Sequence, residues 1–180
     1  MLFRSAVDIA LWDLGAKISD MPLWQYLGGA DNKAAAYGGG VDLWFSIDEL
    51  KEQASGYLKR GFKAIKMKVG RPNMREDIER VAAMREFLGP DIVLMVDANM
   101  QWSVEDAIRA ARAFEEYDVY SVEEPTIPDD IDGHIRIMES TGISVATGEN
   151  LHTIYEFQQM ITRGAVSFPE PDVTNIGGIT

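Results

Sequence analysis

Short apolar runs alternate with longer helical patterns along most of this chain. The runs are "AAAYGGGV", "FKAIKMKV", "DIVLMVDAN", "VYSVEEP", "ISVATGEN" and "AVSFPEPD". Each has the length of a buried strand. Between them lie the helical patterns "SIDELKEQASGYLKRG", "MREDIERVAAMREFLG", "SVEDAIRAARAFEEYD", "DIDGHIRIMESTG" and "TIYEFQQMITRG". Ser46 and Ser103 read as N-caps, with Glu49 and Asp106 three positions on. The second is the looser capping box, because Asp is shorter than Glu. Gly61, Gly89, Gly142 and Gly164 fall where helices should stop. Ahead of this region, "MLFRSAVDIALWDLGAKISD" puts Ala6, Ile9, Ala10, Trp12 and Leu14 on the apolar side of an amphipathic helix. Asp8 and Asp13 interrupt any signal-peptide core there.

The βαβα rhythm implies parallel strands with helical crossovers, in a doubly wound sheet or a (β/α) barrel. No Gly-rich phosphate fingerprint opens a helix, and the glycines of "YGGGV" lack the GxGxxG spacing. Both points weigh against a dinucleotide-binding sheet.

Composition narrows the function classes. A length of 180 residues supports one domain with a sizeable core. Acidic residues outnumber basic ones, 29 to 17, for a net charge of −12. That balance argues against nucleic acid and anionic membranes as partners. Zero cysteines exclude disulfides, thiolate metal sites and cysteine nucleophiles. No apolar run is long enough to span a membrane. A cytoplasmic protein is the resulting expectation.

The chemistry gathers at the ends of the predicted strands. The second ends with Lys66 and Lys68, the third with Asp97 and Asn99, and the fourth with Glu123-Glu124-Pro125. The fifth ends with Glu149-Asn150 and the sixth with Asp172. Asp97 to Glu123 and Glu123 to Glu149 are both 26 residues apart, about one βα unit. Equal intervals predict three carboxylates at one level on successive strands. In a barrel that level is the C-terminal mouth, where active sites are built. Strand alternation puts Lys66 and Lys68 on one face with Ala64, and Ile65, Met67 and Val69 on the face that helices cover.

One acidic strand end alone is a solvated turn or a helix cap. Three at a repeat-length interval, following two lysines, read as a site. Converging carboxylates repel unless a cation or a shared proton lies between them. Oxygen ligands without His or Cys suit a hard ion, with Mg²⁺ the natural choice. A metal on a substrate carboxylate stabilises the charge that appears when the α-proton leaves. A neutral lysine can take that proton, and neighbouring positive charge lowers its pKa. Lys68, beside Lys66 and the metal, meets that condition. Lys66 then stays protonated and binds the substrate carboxylate.

Lys-x-Lys, Asp-x-Asn, Glu-Glu-Pro and Gly-Glu-Asn on successive strands resemble the enolase superfamily, in its mandelate racemase/muconate lactonizing enzyme branch. The resemblance extends through "SAVDIALWDLGAKISDMPLWQYLGG", "GFKAIKMKVG", "VDANMQW", "VEEPTIPDDIDGHIRI" and "PDVTNIGGIT". It implies Asp97, Glu123 and Glu149 as Mg²⁺ ligands, Lys68 as base and Lys66 as its electrostatic partner. It further implies Asn99 at the metal and substrate edge, and Asp172 orienting a catalytic histidine on the opposite face. No histidine follows Asp172; the two in the chain are His134, read as a structural helix residue, and His152. His152 and Trp44 are carried as candidate substrate contacts; for Trp44, packing against a helix is the competing role.

The family pattern also includes an N-terminal capping domain and eight strands. The expectation is therefore an incomplete (β/α) TIM-type barrel with about six of eight strands. Residues 1–30 form a helix leading into the barrel and residues 31–180 form the partial catalytic domain. The chain then reads as an internal piece of a homo-oligomeric enzyme of about twice its length. The reaction implied is Mg²⁺-dependent removal of the proton α to a carboxylate, through an enediolate. Dehydration of an acid sugar leads, and racemisation or epimerisation of a 2-hydroxy acid is the alternative. An inactive remnant is the reading of another class.

Overall fold

The computed structural model describes residues 2–180. Its elements are α1 (Leu2–Ile18), α2 (Leu23–Tyr26), β1 (Gly38–Gly39), α3 (Ile47–Lys59), β2 (Ala64–Lys68) and α4 (Met74–Leu88). They continue with β3 (Val93–Asp97), α5 (Val104–Glu115), β4 (Val119–Glu123), α6 (Ile131–Thr141), β5 (Ser144–Thr147), α7 (Ile154–Thr162) and β6 (Phe168–Pro169). The six strands are all parallel and lie side by side in chain order. A doubly wound sheet would reverse its order at a switch point. The sequential order is that of a barrel wall, and it decides between the two architectures left open by the βαβα rhythm.

Local sequence explains the helix ends. Ser46 and Glu49 form the full capping box at the start of α3. At α5, the Asp106 N–H donates to the Ser103 hydroxyl, and that hydroxyl donates to the Asp106 carboxylate at 2.6 Å. The shorter Asp side chain thus bonds the cap hydroxyl, and the reciprocal bond to the cap main chain is not made. Gly142 ends α6 in the left-handed conformation (φ 70°), as the stop signal requires.

The chain divides into two compact units. One comprises Ala36–Thr147 and Gln159–Pro169, and holds the sheet. There Ile65, Met67, Val69, Leu94, Val96, Val122 and Val145 are buried with Leu50, Val81, Met84, Ile108, Phe114 and Ile137 from the helices. The helices therefore cover one face of the sheet, which is the alternation expected of β2. Between β3 and β4 the register shifts: Leu94 pairs with Val119 but Val96 with Val122. The extra residue in β4 is a bulge that restores Asp97 opposite Glu123.

The outer strands are shorter than their apolar runs. "AAAYGGGV" contributes only Gly38 and Gly39. A side chain at Gly38 would meet the Tyr57 ring, with its Cβ 2.3 Å from Cγ, and the Tyr57 hydroxyl donates to the Gly39 carbonyl at 2.6 Å. "AVSFPEPD" pairs only at Phe168–Pro169, since Pro169 and Pro171 offer no N–H to a ladder.

The other unit comprises the segment ending at Ala35, Gly148–Gln158 and Glu170–Thr180. Its α1 is clasped by the last residues: Asp8 accepts from the Ile179 and Thr180 N–H groups at 2.6 and 3.0 Å, and Trp12 donates to the Thr180 hydroxyl at 3.0 Å. The apolar face expected of α1 is not the buried one. Ser5 and Ala16 are buried, whereas Ala6, Ala10 and Leu14 are exposed, with Phe3, Val7, Leu11 and Ile18. Alanine and leucine occur nearly all round this helix, so periodicity did not single out a side.

His134, expected to be structural, is fully buried in α6. Its Nδ1 lies 2.8 Å from the Asp130 carbonyl, and its Nε2 has no hydrogen-bond partner among the described residues. Burial is the main cause that lowers its pKa. The unfolded chain takes up this proton near about pH 6.5 while the folded chain still excludes it, so stability falls as pH drops through that value. Urea titrations between about pH 7.5 and 5.5 should show this loss, and His134→Leu should flatten it. An unchanged pH slope in that variant would assign the dependence elsewhere.

Candidate active site and metal centre

Four of the residues singled out by sequence meet on the face of the sheet that helices do not cover. Register places Lys68 opposite Asp97 and Asp97 opposite Glu123. Lys68 Nζ donates to Asp97 Oδ2 at 2.5 Å. Lys66 Nζ donates to Glu123 and lies 3.5 Å from Asp97 Oδ2. Asp97 and Glu123 are 1% and 5% exposed, so their charge is met by these ammonium groups rather than by water.

Lys66 is the better defined of the two lysines. Burial is the largest influence on it and pushes its pKa down. The hydrogen bond and charge of Glu123, the Tyr37 hydroxyl and the charge of Asp97 together outweigh burial and hold it above the ordinary lysine range. The Tyr37 ring also lies 5.1 Å from Nζ. Lys66 is thus a permanent cation at neutral pH, the form expected for binding a carboxylate. Tyr37 was not among the sequence candidates; its place before the two β1 glycines carried no chemical signal.

Asn99 follows the strand in a left-handed conformation (φ 43°), and its N–H donates to Asp97 Oδ1 at 2.9 Å. Glu124, next to Glu123, is fully buried with its backbone also left-handed (φ 41°). Glu123 is the one of the pair that meets Lys66. Trp44 is 71% exposed, with the Arg71 guanidinium 5.5 Å from its ring centroid, while Phe45 packs against the core. Trp44 lines a cleft of about 800 Å³ with Arg71, Arg75, Trp102 and Arg109.

The remaining three candidates belong to the other unit, and Asn175 ties them together. Asn175 Nδ2 donates to the Glu149 carbonyl at 2.8 Å and lies 3.4 Å from Asp172 Oδ2. His152 Nδ1 lies 3.3 Å from the Asn175 carbonyl. Asp172 Oδ1 accepts from the N–H and hydroxyl of Thr174. Asn175 was missed because a lone Asn after a Pro-rich stretch reads as turn chemistry.

Glu123 pairs with Ala146, 23 residues on, and β5 ends at Thr147. Glu149 lies in the turn that follows this strand. Among the described residues, no group of three or more acidic or histidine side chains converges to hold an ion.

The donor set nevertheless suits a hard cation. Lys66 Nζ touches both buried carboxylates at once, so Asp97 and Glu123 converge on a point where positive charge already sits. Oxygen-only donors of this kind match Mg²⁺ chemistry. Two facing carboxylates, two lysines on the adjoining strand and a barrel-ordered parallel sheet are the arrangement that the enolase-superfamily resemblance implies.

Comparison with known proteins agrees. Residues 49–180 match the family described as enolase C-terminal domain-like, and residues 1–28 match the mandelate racemase/muconate lactonizing enzyme N-terminal domain. The chain belongs to the mandelate racemase/muconate lactonizing enzyme family of the enolase superfamily. It is 54% identical to a 3,6-anhydro-alpha-L-galactonate cycloisomerase of Streptomyces coelicolor over 98% of this chain and 49% of that protein. A racemase from Streptomyces coelicolor A3(2) solved with bound magnesium matches at 54% identity and a TM-score of 0.94, covering 97% of this chain and 49% of that one. An L-talarate dehydratase from Polaromonas sp. JS666, complexed with Mg and L-glucarate, matches at 38% identity and a TM-score of 0.86, covering 95% and 48%. The chain thus spans about half the length of these relatives. No helix among the described residues is long and apolar enough to cross a membrane.

Proposed function

We propose that this chain carries the lysine-side half of a Mg²⁺-dependent site that removes the proton α to the carboxylate of an acid sugar. The observation that carries the reading is the contact of Lys66 and Lys68 with Asp97 and Glu123 on neighbouring strands. Asp97 and Glu123 would hold the metal, with Glu149 as the third ligand that the family pattern assigns. When bound, Mg²⁺ would supply Lewis-acid stabilisation of the charge developing on the substrate carboxylate. Lys68 Nζ, once released from Asp97 and having given up a proton to solvent, would take the α-proton as a neutral amine. Lys66 remains protonated and holds a carboxylate oxygen, stabilising the enediolate by charge and hydrogen bonding. Asn99, fixed to Asp97 through its main chain, lies at the same edge, and His152 and Trp44 are the candidate substrate contacts. Asp172 is assigned to orienting an acid–base group on the opposite face.

Dehydration with loss of the β-hydroxyl is the leading outcome, supported by the acid-sugar dehydratase among the relatives. Cycloisomerisation of an anhydro-sugar acid is the second reading, favoured by the 54% identity to a cycloisomerase. Racemisation shares the first step. Incubation with Mg²⁺ and a panel of aldonic, aldaric and anhydro-sugar acids tests these readings. A keto acid lighter than its substrate by one water identifies a dehydratase, and a product of unchanged mass identifies a cycloisomerase or epimerase. No product and no α-deuterium uptake from any acid would sink the reading for this chain.

A further inference from the structure

The end of β2 is held in an unusual way. In a parallel sheet, the N–H and C=O of one residue point to the same neighbouring strand. Val69 N–H donates to the Asp97 carbonyl at 2.8 Å, on the β3 side. The main-chain groups of Lys68 point the other way, toward β1. However, β1 pairs only with Ile65 and Lys66 and stops before reaching Lys68. Both Lys68 groups would be orphans there, at a cost that buried backbone rarely bears.

Two buried charged side chains take the place of the missing strand. Asp42 Oδ1 accepts from the Lys68 N–H at 2.7 Å. Arg80 Nη1 donates to the Lys68 carbonyl at 2.9 Å, and its Nη2 donates to the Asp42 carbonyl at 2.9 Å. Asp42 is 0% and Arg80 3% exposed. The second Asp42 oxygen is held by Gln53 Nε2 at 2.7 Å. Asp77, one turn before Arg80 on α4, accepts from the Gly70 and Arg71 N–H groups at 2.8 Å and pairs with Arg80 at 3.2 Å. Burying three charges is costly, and here they are the groups that satisfy the main chain at this strand end.

We propose that Asp42 and Arg80 are positioning residues for Lys68. They fix its main chain from the side opposite Asp97, so that Nζ is delivered to the Asp97 carboxylate. The purpose assigned to this clamp rests on the reading of Lys68 as base, but its test needs no turnover. Arg85 supplies the comparison. It is likewise spent on main chain, donating to the carbonyls of Gly89, Ile92, Tyr117 and Asp118. Those carbonyls precede β3 and β4, at the strand ends remote from the lysines.

The measurement is the exchange of the Lys68 ammonium protons with water, followed by ¹H–¹⁵N spectra of the full chain at mildly acidic pH and low temperature. Loss of the signal in Lys68→Arg assigns it. Arg80→Lys keeps the charge but removes the two-carbonyl fork. Asp42→Asn leaves one acceptor for two N–H donors. Each should speed exchange about tenfold or more, as expected for loss of one charge-assisted hydrogen bond. Arg85→Lys should leave it unchanged even where it lowers the melting temperature. If Arg80→Lys or Asp42→Asn does not fold, Gln53→Met loosens Asp42 from the α3 side and should act in the same direction. Unchanged exchange in the clamp variants, or an equal effect from Arg85→Lys, would overturn the assignment. Failure of Lys68 as base would instead show as α-proton exchange that survives its replacement, with the ammonium result intact.

Discussion

Replacing Lys66 and Lys68 together with methionine should make folding dependent on Mg²⁺. Methionine keeps much of each side chain's length and removes its charge. Asp97 and Glu123 would then face each other, nearly buried, with no counter-charge. Breaking a buried ion pair in this way costs about 3–5 kcal/mol. Mg²⁺ would return the missing charge, and a bound ion at a hundredfold excess over its Kd contributes about 2.7 kcal/mol. In the unsubstituted chain the lysines compete for the same oxygens, so its gain from Mg²⁺ should be smaller. Urea titrations in excess MgCl₂ and in EDTA measure both gains.

Protonation is the other relief open to that variant. Without Mg²⁺, its paired carboxylates would have raised pKa values, so stability would be greatest at low pH and lost as pH rises. Adding Asp97→Asn and Glu123→Gln removes the buried charge and should abolish both dependences. A double lysine variant with the same urea midpoint in MgCl₂ and EDTA would end the case for a metal between these carboxylates.

How far the sequence led depends on which interactions each inference used. The strands β2, β3 and β4 were legible because their alternation or apolar run matches one covered face. Lys66, Lys68, Asp97 and Glu123 followed, since side-chain direction and one repeat interval locate them. Glu149 falls in the turn after β5 rather than on the strand, because the strand ends at Thr147, a boundary that an apolar run does not mark. The clamp residues were illegible for a different reason. Asp77 and Arg80 sit at i, i+3 on α4, which reads as an exposed ion pair. Asp42 sits in a Gly-rich connection, which reads as a turn. What they do there is answer the shortness of β1, which pairs only at Gly38 and Gly39. Charged residues recruited to replace a missing strand leave no periodic trace.

The lysine pair should separate cleanly in kinetics. Under the proposed assignment Lys68 makes and breaks bonds to the α-proton, whereas Lys66 meets the substrate as a fixed cation. Lys68→Met should therefore lower the rate of deuterium uptake at the α-carbon of a responsive acid by about 10²–10⁴-fold at saturating substrate. Lys66→Met removes a charge contact made to the ground state as well as to the enediolate, so KM should rise along with any loss in rate. Both variants keep one ammonium near Asp97, which limits the folding penalty and lets the rates be compared. Deuterium uptake in Lys68→Met within a few-fold of the parent chain would remove Lys68 as the base and move that role to a group on the opposite face.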